Sequence, residues 1–370
     1  MPLEALHLAS QYPPVGQGGL GAHVYGLTQA LAVHLPVRVV SPTDLSEDPL
    51  DPNTALQWGR GLSVTPGAVI HAHNYEVALP ALVAKALSAA PLVVTLHLPA
   101  PERYRVLERR LLAAADAVIA VSHSLASEYG ALGWQMPAPV VIPNGVDEAF
   151  YASDPGAARQ AGRILFAGRL CPQKGCDLAL RAFRELLPTF PALRLRVAGT
   201  GAWEQAYRNL ARRLGIGDRV HWLGWLAPAA LREEYQRCRA FLMPSRFEPF
   251  GLSALEAMAC GAPVIAAAVG GLPEFITDQE TGLLVPQGDP AALAQAVHSL
   301  LVDPSRAARL GAAAALHARE FTWARAAEET LRVYRCLPQT AQLPDLSPQS
   351  RLRRAAETVR AALDPEPVHP

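Results

Sequence analysis

Two glutamates frame the stretch of the chain that is richest in residues able to do chemistry. Glu248 and Glu256 lie in SRFEPFGLSALEAMACGAPVIA, where a candidate strand gives way to a loop and then to a helix that begins near Gly251. A glutamate in so apolar a helix as LSALEAMA needs a polar partner, and sugar hydroxyls are suitable ones. The alternative is that Glu248 caps the helix and that Glu256 is a surface residue.

The start of this helix is itself a candidate binding element. The first N–H groups of a helix have no partner within it, and such groups can hold an anion. Here they belong to Phe250, Gly251, Leu252 and Ser253.

A pair of cations follows another candidate strand in FAGRLCPQKGCDLAL, residues 166–180. Arg169 comes after the strand, Lys174 follows a turn, and Gly175 opens the next helix. Two cations on one strand-end loop suit a diphosphate, whose negative charge grows as a sugar leaves it. Lys174 is one of only two lysines in the chain, the other being Lys85. The alternative role for these cations is a surface salt bridge.

Glycines crowd the loop after the first candidate strand, in SQYPPVGQGGLGAHVYGLTQAL, residues 10–31. Gly16, Gly18 and Gly21 satisfy the spacing G-x-G-x-x-G of nicotinamide-binding proteins. The loop is long and contains prolines, however, and the next strand, VRVVS, ends in Ser41 where such proteins carry an acid. Glycine also lets the backbone approach a phosphate or a sugar closely, and we favour that interpretation.

Three histidines end two candidate strands. His71 and His73 alternate in AVIHAH, so both face the same side of a sheet, and His97 ends VVTLH. Imidazoles from neighbouring strands could converge on a metal ion, but no acidic ligand is fixed beside them. Alternatively, His71 and His73 are core residues with a structural role.

The elements that must position these residues alternate between short β-branched runs and helical patterns, which predicts parallel sheets covered on both faces. The candidate strands are 4–10, 37–41, 68–73, 91–97, 117–122, 139–143, 163–168, 193–199, 219–223, 240–244, 263–266 and 282–285. The candidate helices include 20–35, 75–88, 102–115, 177–190, 203–214 and 289–302. The polar stretch 148–162 between the two series lacks strand character, and we place the domain boundary there. Two such domains facing each other would form a cleft lined by strand-end loops.

The tail of the chain follows a different pattern. Residues 338–349 are typical of a loose linker, and RLRRAAETVRAAL, 351–363, of an amphipathic helix. Its predicted apolar face consists of Leu352, Ala355, Ala356, Val359 and Leu363. The four arginines of this segment could touch a membrane surface, but a solvated face on a docked helix is the favoured interpretation.

The composition indicates a globular protein of about two domains. A formal net charge of +0 with pI near 7.2 leaves no field that would recruit nucleic acid. Residues 1–160 contain eight Lys and Arg against thirteen Asp and Glu, which does not support a broad basic face for docking on a membrane. Nothing in the sequence defines an oligomeric state.

The cysteines and the N-terminus favour the cytoplasm. Five scattered cysteines suit a reducing compartment better than a disulfide framework. The N-terminal MPLEALHLAS reaches proline too soon for a signal peptide, and no apolar run approaches the roughly 20 residues of a membrane span.

Taken with Arg169 and Lys174, the stretch 243–275 resembles the donor signature of a large family of retaining nucleotide-sugar glycosyltransferases. This is the family four, or group 1, type of the GT-B fold, related to glycogen, sucrose and trehalose synthases. The resemblance implies that Glu256 accepts hydrogen bonds from the ribose and that Glu248 contacts the transferred hexose. It implies further that the amides of 250–253 bind sugar and diphosphate, and that Arg169 and Lys174 stabilise the leaving group.

Further segments extend the resemblance over about residues 1–337. It implies that Gly18 and Gly19 border the donor phosphate and the acceptor, and that His97 lies near the anomeric carbon. HAHNYEVALP resembles glycogen and starch synthases, which implies an acceptor-side role for His73 and Asn74. The residues that it implies beside the nucleobase are Gly199, Thr200 and Leu223, the last of these in a loop over 223–226.

The resemblance also implies the domain organisation and the fold class, α/β with two Rossmann-like domains that face each other across a cleft. An acceptor domain would span 1–155 and would be completed by a returning helix at about 321–337. A donor domain would span 160–320, and a linker with an amphipathic tail helix would span 338–370.

The function implied is transfer of a hexosyl group, with glucosyl as a guess, from a UDP-, ADP- or GDP-sugar to the hydroxyl of a saccharide or small-molecule acceptor. No metal or other cofactor is expected. Neither a catalytic base nor a carboxylate nucleophile is left over, which fits a front-face reaction in which the departing phosphate takes the acceptor's proton. The compact first domain argues against a polymer acceptor. The alternatives are a nucleotide-sugar epimerase or hydrolase of the same fold, and a catalytically silent sugar-nucleotide binder.

Overall fold

The computed structural model describes residues 4–13, 18–41, 48–62, 64–151, 159–160, 162–338 and 347–364. The chain divides into two compact units. The first unit is formed by Met1–Gly145 together with Trp323–Pro370, and the second by Val146–Thr322.

The first unit contains a six-stranded parallel sheet in the order β2-β1-β3-β4-β5-β6. Its strands are β1 Glu4–Ala9, β2 Val37–Val40, β3 Ala68–His73, β4 Leu92–Leu96, β5 Ala117–Ala120 and β6 Val140–Val141. Every residue of β3 and β4 is buried, as expected for central strands covered on both faces. The order of the strands reverses between β1 and β3, and ligands of such sheets bind beyond the carboxyl ends at this kind of switch point.

Helices accompany these strands along the chain. They are α1 Gly19–Leu31, α2 Pro52–Gly61, α3 Ala78–Ser88, α4 Arg105–Ala113 and α5 His123–Ala131, with 3-10 turns at Tyr75–Val77 and Glu102–Tyr104. Side-chain caps define the start of two of them: Asp51 accepts from the Thr54 amide at 2.8 Å, and Ser122 from the Leu125 amide at 3.1 Å.

The second unit contains another six-stranded parallel sheet, in the order β12-β11-β10-β7-β8-β9. Its strands are β7 Arg163–Ala167, β8 Arg194–Ala198, β9 Val220–Gly224, β10 Ala240–Met243, β11 Val264–Ala267 and β12 Leu283–Val285. This is the dinucleotide-fold order, and its switch point lies between the neighbouring strands β7 and β10.

The helices of the second unit are α6 Cys176–Leu186, α7 Glu204–Arg213, α8 Pro228–Arg237, α9 Leu252–Ala259, α10 Leu272–Phe275, α11 Pro290–Val302 and α12 Pro304–Ala318. Three 3-10 turns lie at Glu148–Phe150, Pro172–Lys174 and Gly217–Arg219. All twelve predicted strands thus have counterparts among the described residues, because each is a short run rich in residues with strong β preference.

The chain enters the second unit earlier than the predicted boundary at 148–162. The amide of Val146 donates to the carbonyl of Phe321 at 3.0 Å. The hydroxyl of Tyr151 donates to the carbonyls of Ala318 and Phe321 at 2.8 and 3.1 Å. Residues 146–151 are therefore bonded to the end of the second unit and belong to it.

The C-terminal helices α13 Trp323–Arg335 and α14 Pro348–Leu363 belong to the first unit. The helices α13 and α1 approach so closely that a Cβ on Gly26 would lie 2.2 Å from the Trp323 indole. The predicted apolar face of the tail helix is partly wrong, since Leu352 and Leu363 are 44% and 47% exposed. The buried side is formed by Ala355, Val359 and Ala362, and the first two of these pack with Val83 of α3. Among the described residues, no helix combines the length and apolar character that crossing a membrane requires.

Candidate functional site

The switch point of the second unit brings together the two loops that the sequence singled out. The loop after β7 carries Arg169 and Lys174, and the loop after β10 carries Glu248. Because β7 and β10 are hydrogen-bonded neighbours, their carboxyl ends place these loops side by side.

Lys174 and Glu248 form an ion pair there. The ammonium Nζ of Lys174 lies 2.7 Å from Oε2 of Glu248, and the hydroxyl of Ser245 donates to the same oxygen at 3.1 Å. The carboxylate side chain is only 6% exposed, so this pair is not a surface salt bridge. Helix α9 has no side-chain cap, which excludes the capping role considered for Glu248.

Arg169 differs from Lys174 in having no partner. Its side chain is exposed, and it makes no hydrogen bond or ion pair with any residue in the described part of the chain. The loop therefore offers one cation held in place and one available to a ligand anion.

Arg246, which sequence reasoning missed, joins the two loops. Its guanidinium donates to both carboxylate oxygens of Asp177 at 2.9 and 2.7 Å and to the carbonyl of Pro172 at 2.7 Å. The amide side chain of Gln173 donates to the carbonyl of Phe247 at 3.1 Å. These contacts fix the geometry in which Lys174 meets its carboxylate.

The start of α9 follows directly after this carboxylate. Gly251 has φ of 111°, a left-handed conformation that glycine adopts without strain. Phe250 is buried and stacks on Phe275 with 5.1 Å between ring centroids. Leu252 and Ser253 are partly buried in the first turn, where helical N–H groups lack helical partners. The chain thus presents a helix N-terminus beside the loop that carries Glu248.

Glu256 lies one turn further along α9 and is partly buried. The hydroxyl of Tyr235, another residue missed from sequence, donates to its Oε2 at 3.1 Å. Burial raises the pKa of Glu256 to about 7, and the negative charge of Asp147 adds to the rise. Glu256 is therefore not a free surface carboxylate, and it gains from partners that donate hydrogen bonds.

The residues predicted beside a nucleobase lie at the ends of β8 and β9. Gly199 has φ of 122°, and its amide donates to the carbonyl of Gly224 at 2.7 Å. Thr200 is exposed, and its carbonyl accepts from the Leu170 amide at 2.8 Å. Leu223 lies inside strand β9 and not in a loop, because the strand continues to Gly224.

In the first unit, the glycines open helix α1. Gly18 is its N-cap residue and Gly19 its first residue. A Cβ on Gly18 would lie 2.8 Å from the side-chain oxygen of Gln11, so a larger residue would not fit without movement. Gly16 of the same motif lies outside the described residues.

The predicted histidines belong to a larger cluster of five. His7 of β1 lies in register beside His71, and His23 of α1 completes the group with His73 and His97. Nδ1 of His7 lies 2.8 Å from Nε2 of His73, whose Nδ1 lies 3.3 Å from Nε2 of His97. Burial lowers the pKa of each of these five imidazoles, so they are neutral at pH 7.

His73 is fully buried with both ring nitrogens engaged, whereas His97 is partly exposed. Any effect of His73 on a ligand therefore passes through His97. Asn74 follows with φ of 72°, an unusual conformation for a residue with a side chain, and its buried Oδ1 has no partner among the described residues. The positive φ of Asn74 and its unpartnered Oδ1 make the carboxyl end of β3 strained and polar, as is common at binding sites.

Comparison with known proteins identifies the family. Residues 17–150 match the profile described as Glycosyltransferase Family 4, and residues 150–317 match Glycosyl transferases group 1. The chain is 36% identical over 308 residues to a D-inositol 3-phosphate glycosyltransferase of Kribbella flavida, covering 74% of this chain and 72% of that protein. The chain belongs to the group 1 glycosyltransferases.

Two further relatives extend the match over nearly the whole glycosyltransferase. A glycogen synthase of Mycobacterium tuberculosis is 31% identical over 412 residues, covering 95% of this chain and 98% of that protein. The structure of Anabaena Alr3699/HepE in complex with UDP and glucose superposes with a TM-score of 0.75 at 23% identity, covering 90% of this chain and 100% of that one. The two parallel-sheet units are thus those of the GT-B fold.

Two groups of histidines in this glycosyltransferase are close enough to be considered as metal ligands, His7 with His71 and His73, and His23 with His73 and His97. In the first group every ring nitrogen is already hydrogen-bonded to a neighbour. In the second, His23 donates through Nδ1 to Asn144 at 2.8 Å, and its Nε2 is buried without a partner among the described residues.

His7 and His23 are members of the cluster that sequence reasoning missed. The sequence did contain a signal for His7, because Ala5, His7 and Ala9 are every second residue of the first strand and therefore face the same side of the sheet. No local signal existed for His23, since it lies on the buried side of α1, and its hydrogen-bond partner is Asn144, far along the chain.

Proposed function

We propose that this glycosyltransferase transfers a hexosyl group, a glucosyl group in the first instance, from a nucleotide diphosphate sugar to an acceptor hydroxyl with retention of configuration. The observation that carries the proposal is the buried Lys174–Glu248 pair beside the exposed Arg169 at the switch point of the second unit. The carboxylate of Glu248 can accept hydrogen bonds from sugar hydroxyls, and the cations of Lys174 and Arg169 can bind phosphate oxygens. The three side chains therefore suit a sugar joined to a diphosphate.

The donor would be bound group by group along this loop cluster. Glu248 keeps Oε1 for a hexose hydroxyl, because Lys174 and Ser245 both contact Oε2. The amides of Phe250–Ser253 and the cation of Arg169 would meet the diphosphate. Glu256, held by Tyr235, would accept from the ribose, and Gly199, Thr200 and Leu223 would border the base.

The reaction would proceed on the front face of the sugar. In this assignment Glu248 and Glu256 both accept hydrogen bonds from hydroxyls of the donor, so neither carboxylate is left to act as the nucleophile of a double displacement. The departing phosphate would take the proton of the acceptor hydroxyl. Lys174, Arg169 and the start of α9 would stabilise the charge that develops on the diphosphate.

The first unit would supply the acceptor side, with Gly18, Gly19, His97, His73 and Asn74. The relatives named for D-inositol 3-phosphate and for glycogen suggest a polyol or a saccharide as the acceptor. The five cysteines are all free, which supports a cytoplasmic setting.

A product assay tests the proposal. The purified chain is incubated with UDP-glucose, ADP-glucose or a GDP-hexose, with and without a panel of polyols and oligosaccharides, and products are followed by mass spectrometry and by NMR of the anomeric proton. A thermal-shift panel selects the donor first, because a ligand at 100 times its Kd stabilises by about 2.7 kcal/mol.

The expected result is acceptor-dependent product that retains the configuration of the donor. Inverted product would contradict the retaining mechanism. Turnover without acceptor would indicate an epimerase or hydrolase, and stabilisation by a nucleotide sugar without any turnover would indicate a silent binder.

A further inference from the structure

A continuous chain of hydrogen bonds runs through the first unit and ends at His97. We call it the imidazole chain; its members, in order, are Thr95, His71, Tyr334, His7, His73 and His97. Oγ1 of Thr95 lies 2.6 Å from Nε2 of His71, whose Nδ1 lies 2.6 Å from the hydroxyl of Tyr334. That hydroxyl lies 3.3 Å from Nε2 of His7, which joins the chain to His73 and His97.

Each ring in the imidazole chain carries one proton. Burial lowers the pKa of the four histidines, so the rings are neutral and each has one N–H donor and one nitrogen acceptor. Tyr334 likewise has one proton to give and can accept another bond. Each ring therefore donates on one side and accepts on the other, whereas the Tyr334 hydroxyl, with two lone pairs, can also accept on both sides.

Three arrangements keep all five bonds. In one of them Tyr334 accepts from both His71 and His7, which leaves its own buried proton without an acceptor and is costly. The other two leave Tyr334 satisfied. In the forward arrangement, Thr95 donates to His71, His71 to Tyr334, Tyr334 to His7, His7 to His73, and His73 to Nε2 of His97. His97 then carries its proton on Nδ1. In the reversed arrangement every bond has the opposite direction, and Nδ1 of His97 is a lone pair.

Thr95 distinguishes the forward arrangement from the reversed one. Its side chain is 1% exposed, and within the described part of the chain His71 is the partner of its hydroxyl. In the reversed arrangement Thr95 accepts from His71, and its own proton is left buried without an acceptor, which is costly. In the forward arrangement the hydroxyl donates, and every member of the chain is satisfied.

We infer that the imidazole chain fixes His97 as the Nδ1–H tautomer, so that His97 meets a sugar oxygen as a hydrogen-bond donor and not as a base. Nδ1 of His97 has no partner among the described residues, and His97 is the partly exposed histidine of the chain. Thr95, His71, Tyr334, His7 and His73 are then positioning residues. The role of the donor rests on the proposed function, whereas the tautomer itself does not.

The tautomer can be measured directly. In the full chain labelled with 15N in its histidine rings, long-range 1H–15N spectra at pH 7 separate a protonated Nδ1 from a protonated Nε2, with His97→Gln assigning the signals. The wild type is expected to show His97 with its proton on Nδ1. A wild-type His97 with its proton on Nε2 overturns the inference.

Thr95 variants test the cause. Thr95→Val removes the hydroxyl that sets the direction, so His97 is expected to populate both tautomers, and Thr95→Ser is expected to restore one. Thr330→Val is the matched control, since Thr330 is also buried but bonds the Ala326 carbonyl at 2.8 Å outside the imidazole chain. If Thr95→Val keeps the wild-type tautomer, the inference is wrong.

Tyr334→Phe provides a second test if Thr95→Val does not fold. It breaks the chain in the middle, and His97 is again expected to populate both tautomers; an unchanged single tautomer would count against the inference. In turnover, Thr95→Val is expected to lower kcat/KM about tenfold, the loss of one neutral hydrogen bond, with Thr95→Ser close to wild type.

The two proposals fail separately. If His97 carries its proton on Nδ1 but no nucleotide sugar is turned over, the proposed function fails and the tautomer assignment stands. If transfer is observed with the opposite tautomer, only the imidazole chain inference fails.

Discussion

Nζ of Lys174 lies 2.7 Å from Oε2 of Glu248 across two loops that are 74 residues apart in the sequence. The contact joins a cation that follows β7 to a carboxylate that follows β10, the two strands at the switch point of the second sheet. Ser245 donates to the same oxygen, so neither Ser245 nor Lys174 contacts the other carboxylate oxygen, Oε1. The pair therefore holds both side chains ready for a ligand at little cost in side-chain entropy.

Replacing Lys174 tests the role of this pair in turnover. We expect Lys174→Ala to lower kcat by roughly 10²- to 10³-fold, as for the loss of a group that stabilises transition-state charge. The measurement is initial rate at saturating nucleotide sugar. Unchanged turnover would remove Lys174 from the catalytic machinery.

The control for this variant is the other lysine of the chain. Lys85 also forms a partly buried ion pair, with Asp116 at 2.5 Å, and its side chain is 27% exposed against 21% for Lys174. Lys85→Ala therefore removes a comparable ion pair without changing the loops after β7 and β10, and we expect it to keep full turnover.

The raised pKa of Glu256 predicts a pH dependence of stability. The pKa rises from 4.5 to about 7 on folding, so the folded state holds its proton more tightly than the unfolded state. The resulting stabilisation is complete below pH 4.5 and is lost as pH rises towards 7. We expect the loss to be on the order of 3 kcal/mol between these limits.

Chemical denaturation of the wild type and Glu256→Gln between pH 4.5 and 8 checks this. The difference in unfolding free energy should change across the interval, because the glutamine does not titrate. Glu280→Gln, at an exposed position, is the control and should run parallel to the wild type. Parallel curves for Glu256→Gln would show that its carboxyl has an ordinary pKa.

Metal removal tests the expectation that the chain needs no cofactor. We expect transfer to be unaffected by dialysis against EDTA, since under the proposed function the ammonium of Lys174 and the guanidinium of Arg169 would supply the positive charge that a metal would otherwise bring. Loss of activity that Zn²⁺ restores would contradict this. His23→Ala would then test the ligand group, because Nε2 of His23 is a buried imidazole nitrogen without a partner among the described residues.

Much of this architecture was predictable because its signals are local. Strand positions follow from short β-branched runs, and Arg169, Lys174, Glu248 and Glu256 from their places at strand ends and in a helix. Leu223 was misplaced because the end of a strand depends on pairing with its neighbour, which a sequence window does not contain.

What could not be predicted are contacts between distant segments. The Tyr334 hydroxyl meets His71 across 263 residues, and nothing near either residue indicates the pairing. Leu352 and Leu363 satisfy the helical period of the tail but are 44% and 47% exposed, and neither belongs to the cluster that the tail helix forms with Val83. Which residues of a helix are buried depends on the surface against which the helix packs, and the periodicity of the sequence does not define that surface.

The turn at Gly175 leads to the last prediction. Gly175 has φ of 69°, and a Cβ there would lie 2.0 Å from the carbonyl oxygen of Pro244 in the loop after β10. Gly175→Ala must therefore push apart the two loops that join Lys174 to Glu248. Gly215 has nearly the same φ, 68°, but nothing lies within 4 Å of its would-be Cβ.

The two alanine variants thus separate backbone strain from loop contact. Gly215→Ala should cost only about 1 kcal/mol of unfolding free energy, the strain of alanine in this conformation, with turnover intact. Gly175→Ala should cost more than Gly215→Ala and should also raise the KM for the nucleotide sugar, because the clash moves Lys174 away from the carboxylate. Urea denaturation and steady-state kinetics on both variants measure the difference. Equal stabilities with equal KM values would mean that the loops can separate without disturbing the donor site.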